Sequence, residues 1–400
     1  MQAVILAAGE GRRMRPLTYT RPKAMLPLVA KPLLQHLIIE LKDAGINHFI
    51  VVTGYCSDKV REYFGNGDAI GVQIDYVMQT SQSGTADALK AVDGLVDDCF
   101  LVVNGDVYIE SKDIINVLGK DDATMGLLEI KDAIGVGVVD VRKGKVRQIY
   151  EKVSNPPSNL VNCGVYLLTR EIFDIIAITP KSRRGEYELT DSLQLMIDKG
   201  RTLSYQMVPS WFDLSYPWDL LVANERMMPQ IKSRNEGIVE KNALIRGPVV
   251  IGEGTIIRAG AYIIGPVIIG NNCDIGPNCY IRPCTTIGND CHIGNAVEVK
   301  NSIIMDRTKI PHHNYIGDSV IGENCNFGAG TKIANLRLDK NNVDVAGIKT
   351  ERRKLGAIVG DRVETGINSS LNVGTMIGND TFIGPGVVVG GIVQPNTKII

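Results

Sequence analysis

The sequence predicts an α/β chain in two parts: a Rossmann-like domain over residues 1–232, a linker at 233–238, and a left-handed parallel β-helix of hexapeptide repeats over 239–400. Three observations predict it. Short apolar runs suited to buried strands alternate with amphipathic helical stretches through the first half. From Val239 onward an aliphatic residue stands at every sixth position: Val239, Ile245, Ile251, Ile257, Ile263, Ile269, Ile275, Ile281, Ile287, Ile293, Val299 and Met305. A length of 400 residues also exceeds what one ordinary hydrophobic core organises.

Residues 2–7 form the first apolar strand, and the stretch 6–27, LAAGEGRRMRPLTYTRPKAMLP, carries it into a glycine-rich loop. Gly9 and Gly11 free the backbone to turn successive N–H groups toward an anion, and Arg13 and Lys23 supply full positive charges for phosphate oxygens. Neither common glycine motif fits. A Walker loop needs Lys-Ser/Thr where Arg12 and Arg13 stand, and a dinucleotide fingerprint needs a third glycine at Met14. Loop composition alone favours a plain surface turn, and it is the whole pattern that points to phosphate.

A helix follows over 31–44, with Leu33, Leu34, Leu37, Ile38 and Leu41 on one face and Gly45 placed to end it. A strand is expected over 48–53, which leaves His36 and His48 as packing or surface residues. After a strand at 72–78 comes QTSQSGTADALKA, in which Gly84 and Thr85 open a helix. Glycine there permits close approach of a flat ring, and the carboxamides of Gln79 and Gln82 donate and accept together, which suits a pyrimidine edge. CFLVV at 99–103 reads as a central strand ending at Asn104-Gly105-Asp106. Ligands of open α/β sheets bind at the carboxyl ends of strands, so Asp106 is either a magnesium ligand or part of a plain Asn-Gly-Asp turn. Asp213, just before a helix at 217–231, offers a second carboxylate.

In the second half glycine often follows the periodic aliphatic residue, and four positions after it the chain holds something small: Thr255, Ala261, Cys273, Cys279, Thr285, Cys291 and, later, Cys325. This is the pattern of a parallel β-helix whose coils bury aliphatic corners on one another. The register resumes at Val359 and runs through Leu371, Ile377, Ile383 and Val389, after a charged loop at 335–354. Residues eighteen apart stack on adjacent coils. Arg282 and Lys300 are so placed, about 4.8 Å apart by strand spacing, which points either to a bound phosphate or to two solvated surface cations.

A net charge of −1 with no long basic run argues against nucleic acid as a partner. The start MQAVILAAG lacks a basic leader and no window approaches a membrane span, so a cytoplasmic protein is expected. The eight cysteines show no paired CxxC spacing, and the repeat explains several of them as small core residues better than a disulfide framework or a zinc site does.

The pattern G-x-G-x-R-M-x-P-L-T followed by R-P-K-A-M-L-P resembles the signature of sugar-1-phosphate nucleotidylyltransferases. That resemblance implies that Leu6, Ala8, Gly9, Gly11 and Arg13 hold a nucleoside triphosphate with Lys23 near its α-phosphate. It further implies that Gln79, Gly84 and Thr85 read the base, that Asp106 and Asp213 bind Mg²⁺, and that Gly137, Glu151, Lys152 and Asn162 hold the sugar phosphate. The family usually has proline after Glu-Lys, where this chain has Val153. In such a reaction an oxygen of the sugar 1-phosphate attacks the α-phosphorus in line and pyrophosphate leaves, so positioning and charge neutralisation suffice.

Residues 297–335, VEVKNSIIMDRTKIPHHNYIGDSVIGENCNFGAGTKIAN, resemble the acetyltransferase half of the bifunctional uridylyltransferase/acetyltransferases that make UDP-N-acetylglucosamine, and nearly the whole chain follows their domain order. The resemblance implies His312 as general base with Tyr315 beside it, Arg282 and Lys300 on the sugar phosphate, and Asn326, Ala329 and Asn335 near the amino sugar and acetyl donor. An imidazole suits the removal of an amine proton, and neighbouring His313 is the structural alternative. It also implies acetyl-CoA and UTP, or dTTP, as co-substrates and a homotrimer. The loop at 335–354 is longer than in the bacterial enzymes, and their C-terminal arm has no counterpart before Ile400, which leaves Arg352, Arg353 and Lys354 as alternative coenzyme partners or a solvated charge run. Two other readings remain open: a glucose-1-phosphate thymidylyl- or uridylyltransferase with a structural β-helix, and a non-catalytic scaffold subunit.

Overall fold

Alternating apolar residues of three short strands face two separate cores, which is what places them at the centre of a covered sheet. Ala3, Ile5, Phe49, Val51, Leu101 and Val103 pack on one side, and Val4, Ile50, Val52, Phe100 and Val102 on the other. The computed structural model describes residues 1–400 except 121, 122, 132, 134, 152 and 153. By contacts the chain forms two compact units, one of Met1–Glu10, Arg21–Leu26 and Pro32–Asp213, the other of Gly11–Thr20, Pro27–Lys31 and Leu214–Ile400.

The first unit holds a nine-stranded mixed sheet in the order Gln73–Met78, His48–Thr53, Gln2–Leu6, Cys99–Asn104, Leu160–Thr169, Thr124–Glu129, Ser204–Met207, Lys145–Tyr150, Val138–Arg142. The first four run parallel, and Leu160–Thr169 lies antiparallel to Cys99–Asn104. The helix Leu33–Asp43 buries the five leucine and isoleucine residues of its apolar face. Gly45, at φ 94°, closes it with its N–H on the Lys42 carbonyl at 2.8 Å.

The second unit contains a β-helix of three parallel sheets with nine, nine and eight strands. Corners between sheets need a left-handed residue, and Asn272, Asp290, Asn324, Asn278 and Asn368 supply it, being the non-glycine types that tolerate that conformation. The cysteines behave as small core residues. Cys273, Cys279, Cys291 and Cys325 are buried and unpaired, and the thiols of Cys273, Cys291 and Cys325 donate to the carbonyls of Gly288, Met305 and Gly360 on the following coils.

The six-residue register fails at two successive turns of the same corner. Ile269 pairs with Ile287 eighteen positions on, but Ile287 pairs with Ile304, and Ile304 with Ile321, seventeen on. Ile304, rather than Met305, therefore takes the inward position, because the preceding corner, built on Asn301 at φ 45°, is one residue short. The stretch 335–354 is likewise more ordered than a charged loop. Its strands Asp344–Val345 and Ile348–Lys349 pair antiparallel, Leu336 bridges to Lys354, and Val343 and Val345 are buried. Among the described residues no helix is long and apolar enough to cross a membrane.

Candidate active sites

The first-unit residues singled out from sequence gather at the carboxyl ends of the parallel strands. Leu6 pairs with Asn104, and its carbonyl accepts the N–H of Gly105 at 2.9 Å. The Ala8 carbonyl takes the Tyr55 N–H at 3.1 Å and the Gln82 Nε2 at 3.2 Å. Beyond Gly9 there is open space where a Cβ would stand. Lys23, on the turn Lys23–Met25, is almost buried, and its ammonium donates to Asp106 Oδ2 at 2.7 Å. Asp213 sits opposite Val107 in a two-stranded antiparallel ladder, which brings the second carboxylate next to the residue following Asp106.

Gln79, which is 7% exposed, donates through Nε2 to the Gly84 carbonyl at 3.1 Å and to Asp87 at 2.8 Å. The Thr85 hydroxyl accepts the Leu189 N–H at 2.9 Å. Gly84 has a reason other than room for a ring: at φ 118° its Cβ would lie 2.3 Å from the Tyr187 carbonyl oxygen. The protein backbone, not a ligand, excludes a side chain there.

Three of the four sugar-segment residues converge. Asn162 donates its N–H to the Gly137 carbonyl at 3.0 Å, and a Cβ on Gly137 would stand 3.2 Å from Glu151 Oε2. The Asn162 amide is fixed at both ends, by the Gly164 N–H at 3.0 Å and by the buried Tyr166 hydroxyl at 2.7 Å. Burial pushes the Tyr166 phenol up, so it stays protonated. Lys152 lies outside the described residues. Sequence reasoning missed Arg184. Its guanidinium reaches Glu151 Oε1 at 3.2 Å and Glu188 at 2.6 Å. The doubled arginine at 183–184 between two apolar helices was the available signal.

In the second unit Gly11 is left-handed at φ 72° and opens the turn Arg12–Met14, and the Arg13 guanidinium lies 5.7 Å from the centre of the Tyr216 ring. The β-helix brings Arg282, Lys300, Tyr315 and Asn335 onto one sheet and the corner after it. The stacked cations are not bare. Arg282 pairs with Glu298 at 2.8 Å and Lys300 with Asp318 at 2.8 Å, so protein carboxylates answer the repulsion that an intervening phosphate was expected to relieve. Asp318, only 2% exposed, also accepts Asn335 Nδ2 at 2.5 Å, and that amide contacts the Tyr315 hydroxyl at 3.1 Å. Asp318 was not singled out from sequence; its signal was the shortened repeat around it.

His312 ends the strand Lys309–His312 on the neighbouring sheet, exposed, with no hydrogen-bond partner for its imidazole among the described residues. His313 takes the left-handed corner at φ 53°, and its carbonyl accepts the Lys332 ammonium. Asn326 is exposed on the sheet that carries Lys309, while the Ala329 carbonyl accepts the Asn368 N–H at 2.8 Å. Of the residues proposed for coenzyme A, Arg352 is committed to Glu225 at 2.6 Å, whereas Arg353 and Lys354 are exposed.

A family model described as nucleotidyl transferase matches residues 2–229, and one described as GMPPB C-terminal domain matches 263–373. The chain is 41% identical to "Bifunctional protein GlmU" of Methanocaldococcus jannaschii, over 100% of this chain and 97% of that protein. It is also 41% identical to the bifunctional sugar-1-phosphate nucleotidylyltransferase/acetyltransferase of Sulfurisphaera tokodaii, over 97% of each. The chain belongs to this bifunctional family. Among solved structures, a putative glucose-1-phosphate thymidylyltransferase from Bacillus anthracis, in complex with a sucrose, superposes with a TM-score of 0.53 at 28% identity, covering 59% of this chain and 98% of that one. Bifunctional transferases of this family thus span both halves of the chain, and a purely structural β-helix is the less supported alternative.

Proposed function

We propose that the enzyme makes UDP-N-acetylglucosamine in two steps, acetylating glucosamine 1-phosphate on the β-helix and transferring a uridylyl group to the product in the α/β domain. The observation that carries the acetyl step is the connected set of Lys300, Asp318, Asn335 and Tyr315 on one side of the coil, which packing alone does not require. Lys300 and Arg282 are assigned to the sugar phosphate and His312 to the amine. As the amine nitrogen bonds to the thioester carbonyl carbon, His312 takes its proton, the C–S bond breaks and coenzyme A leaves. Asn326 lies on a different sheet from Lys300 and Tyr315, which supports a homotrimer whose sites draw on two copies.

In the α/β domain, Lys23 is assigned to the α-phosphate, Arg13 and the loop N–H groups to the triphosphate, Gln79, Gly84 and Thr85 to the base, and Gly137, Glu151, Lys152 and Asn162 to the sugar. UTP, with dTTP as the alternative, is the nucleotide. Asp106 and Asp213 fit Mg²⁺: two hard carboxylates, one in the turn just before Val107 and the other opposite Val107 on the paired strand, leave the remaining positions to phosphate and water. Bound there, the ion would neutralise phosphate charge. Both co-substrates point to the cytoplasm.

The test incubates purified protein with glucosamine 1-phosphate and acetyl-CoA and follows release of free coenzyme A, with His312→Ala alongside. Release that is lost in the variant supports the acetyl step. A folded wild type that makes nucleotide sugar yet releases no coenzyme A reduces the β-helix to a scaffold.

A further inference from the structure

One corner of the β-helix departs from the repeat in three consecutive coils, and one helix covers it. Asn301 and Asp318 stand at the two shortened turns, at φ 45° and 51°, and the hairpin at 335–354 leaves from the next. Against this corner lies the helix Asp219–Met227, whose fully buried Asn224 donates to the Cys284 carbonyl at 3.0 Å. Its next residue, Glu225, lies within the stretch matched by the nucleotidyl transferase model but belongs to the second unit.

Glu225 is the hub of a hydrogen-bonded chain. Its Oε1 accepts Asn301 Nδ2 at 2.7 Å and Arg352 Nη2 at 2.6 Å, and Oε2 accepts Arg352 Nη1 at 3.4 Å. The same Asn301 amide donates to Asp318 Oδ1 at 2.8 Å, while Asp318 Oδ2 takes Lys300 and Asn335. Arg352, with a side chain only 11% exposed, stands at the hairpin base, where Leu355 donates its N–H to the Asn335 carbonyl at 3.0 Å. One carboxylate therefore holds both supports of the Lys300–Asp318–Asn335 set. Through Asn301 it orients Asp318, and through Arg352 it fixes the hairpin that presents Asn335.

We propose that Glu225 is a positioning residue for acetyl transfer, acting through Asn301 on Asp318 and Lys300, which is assigned to the sugar phosphate, and through Arg352 on Asn335, which is assigned to the amino sugar and acetyl donor. The inference rests on the acetyltransferase reading above. Glu225 touches no reacting atom, so its removal loosens Lys300 and Asn335 without deleting a chemical group. Misplacing binding groups by a fraction of an ångström weakens substrate capture, and KM for glucosamine 1-phosphate should carry most of the change.

The experiment uses full-length protein and the variants Glu225→Ala, Glu225→Gln and Arg352→Lys. It measures KM and kcat for glucosamine 1-phosphate at saturating acetyl-CoA, UTP-dependent nucleotide-sugar formation, and thermal unfolding. The expected result is a KM raised by about tenfold in Glu225→Ala with kcat changed less than about threefold, and partial recovery in Glu225→Gln, which keeps an acceptor oxygen. Arg352→Lys should fall between, because lysine keeps the charge but not the fork. Nucleotide-sugar formation should stay at the wild-type level. Unchanged KM and kcat in a folded Glu225→Ala overturn the inference and leave the acetyltransferase reading intact. Equal loss of both activities with a lowered unfolding temperature in all three variants also overturns it, by making the network a plain element of the fold. A wild type that releases no coenzyme A overturns the underlying reading, and the inference with it.

Discussion

Gly317→Ala should separate the two activities, because the space it fills belongs to proposed acetyl-site atoms alone. Gly317 lies in the strand Tyr315–Gly317, opposite Lys300 on the adjacent coil. An added Cβ would stand 2.6 Å from the Tyr315 hydroxyl oxygen and 2.7 Å from Asn335 Nδ2. Both are ends of side chains, so the backbone survives and the side chains move. Reaching ordinary contact at 3.4 Å requires retreats of about 0.8 and 0.7 Å. The Asn335 amide now sits 2.5 Å from Asp318 and 3.1 Å from Tyr315, and a shift of that size breaks at least one of the two bonds.

The stability cost is about 1 kcal/mol, at the low end for overpacking, because only flexible ends are displaced. The catalytic cost is larger. Misplacement by about 1 Å lowers rates on the order of 10²-fold, so kcat/KM for acetyl transfer should fall by roughly that factor. Coenzyme A release measured beside pyrophosphate release, in one preparation, reports both activities. Wild-type acetyl transfer in the variant, or matched loss of both activities in a folded protein, would refute the placement of Tyr315 and Asn335 in the site.

Lys23→Ala should reverse that selectivity, cutting nucleotide-sugar formation about 10²-fold or more while coenzyme A release is retained, since it removes the nearly buried cation on Asp106. Thiol titration at pH 8 should reach no more than Cys56, Cys99 and Cys284 in the native protein. The other five cysteines are buried, and burial pushes Cys279 and Cys325 up to about 12, which leaves almost no thiolate. All eight should react in denaturant, and rapid native labelling of Cys325 would contradict its burial. Arg362 holds the Asp380 carboxyl below its usual range through hydrogen bonds at 2.6 and 2.7 Å. That lowered value stabilises the fold above the ordinary carboxylate range near pH 4, and the contribution is lost as pH falls through it. Arg362→Met should therefore lower the urea midpoint slightly at pH 6, and the difference from wild type should shrink away as pH falls through that lowered value.

Strict periodicity made much of the fold legible. The helix Leu33–Asp43, the strand Cys99–Asn104 and the inward isoleucines to Ile293 follow from repeats of 3.6, near-continuous burial and six, each of which forces a face toward a core. The glycine loop was legible because charge and backbone freedom coincide in it. What could not be read were contacts between segments far apart in sequence. Gly84 answers to Tyr187, a hundred residues away, and Glu151 to Arg184. Nor did composition show that the polar stretch 335–354 folds back as a hairpin, since its burial rests on only a few residues such as Val343 and Val345.

The failure of the repeat at Met305 locates the chemistry of the second half. A uniform coil offers each sheet the same outward positions, and its corners need only a residue that accepts a left-handed backbone. Shortening two successive corners by one residue brings Asn301 and Asp318 into a stack, and the hairpin after the next coil returns Gly356 to donate to the Asp318 carbonyl at 2.8 Å. Gly356 has no room for a Cβ, with the Gly317 carbonyl oxygen and the Ser319 hydroxyl oxygen each 2.2 Å from where it would stand. A buried carboxylate such as Asp318 is costly unless every oxygen is answered, and Lys300, Asn301 and Asn335 answer it. The irregular corner is thus held by the same polar side chains that the acetyl step is proposed to use. Restoring the regular spacing by inserting a residue after Asn301 would relieve the tight turn and separate those side chains.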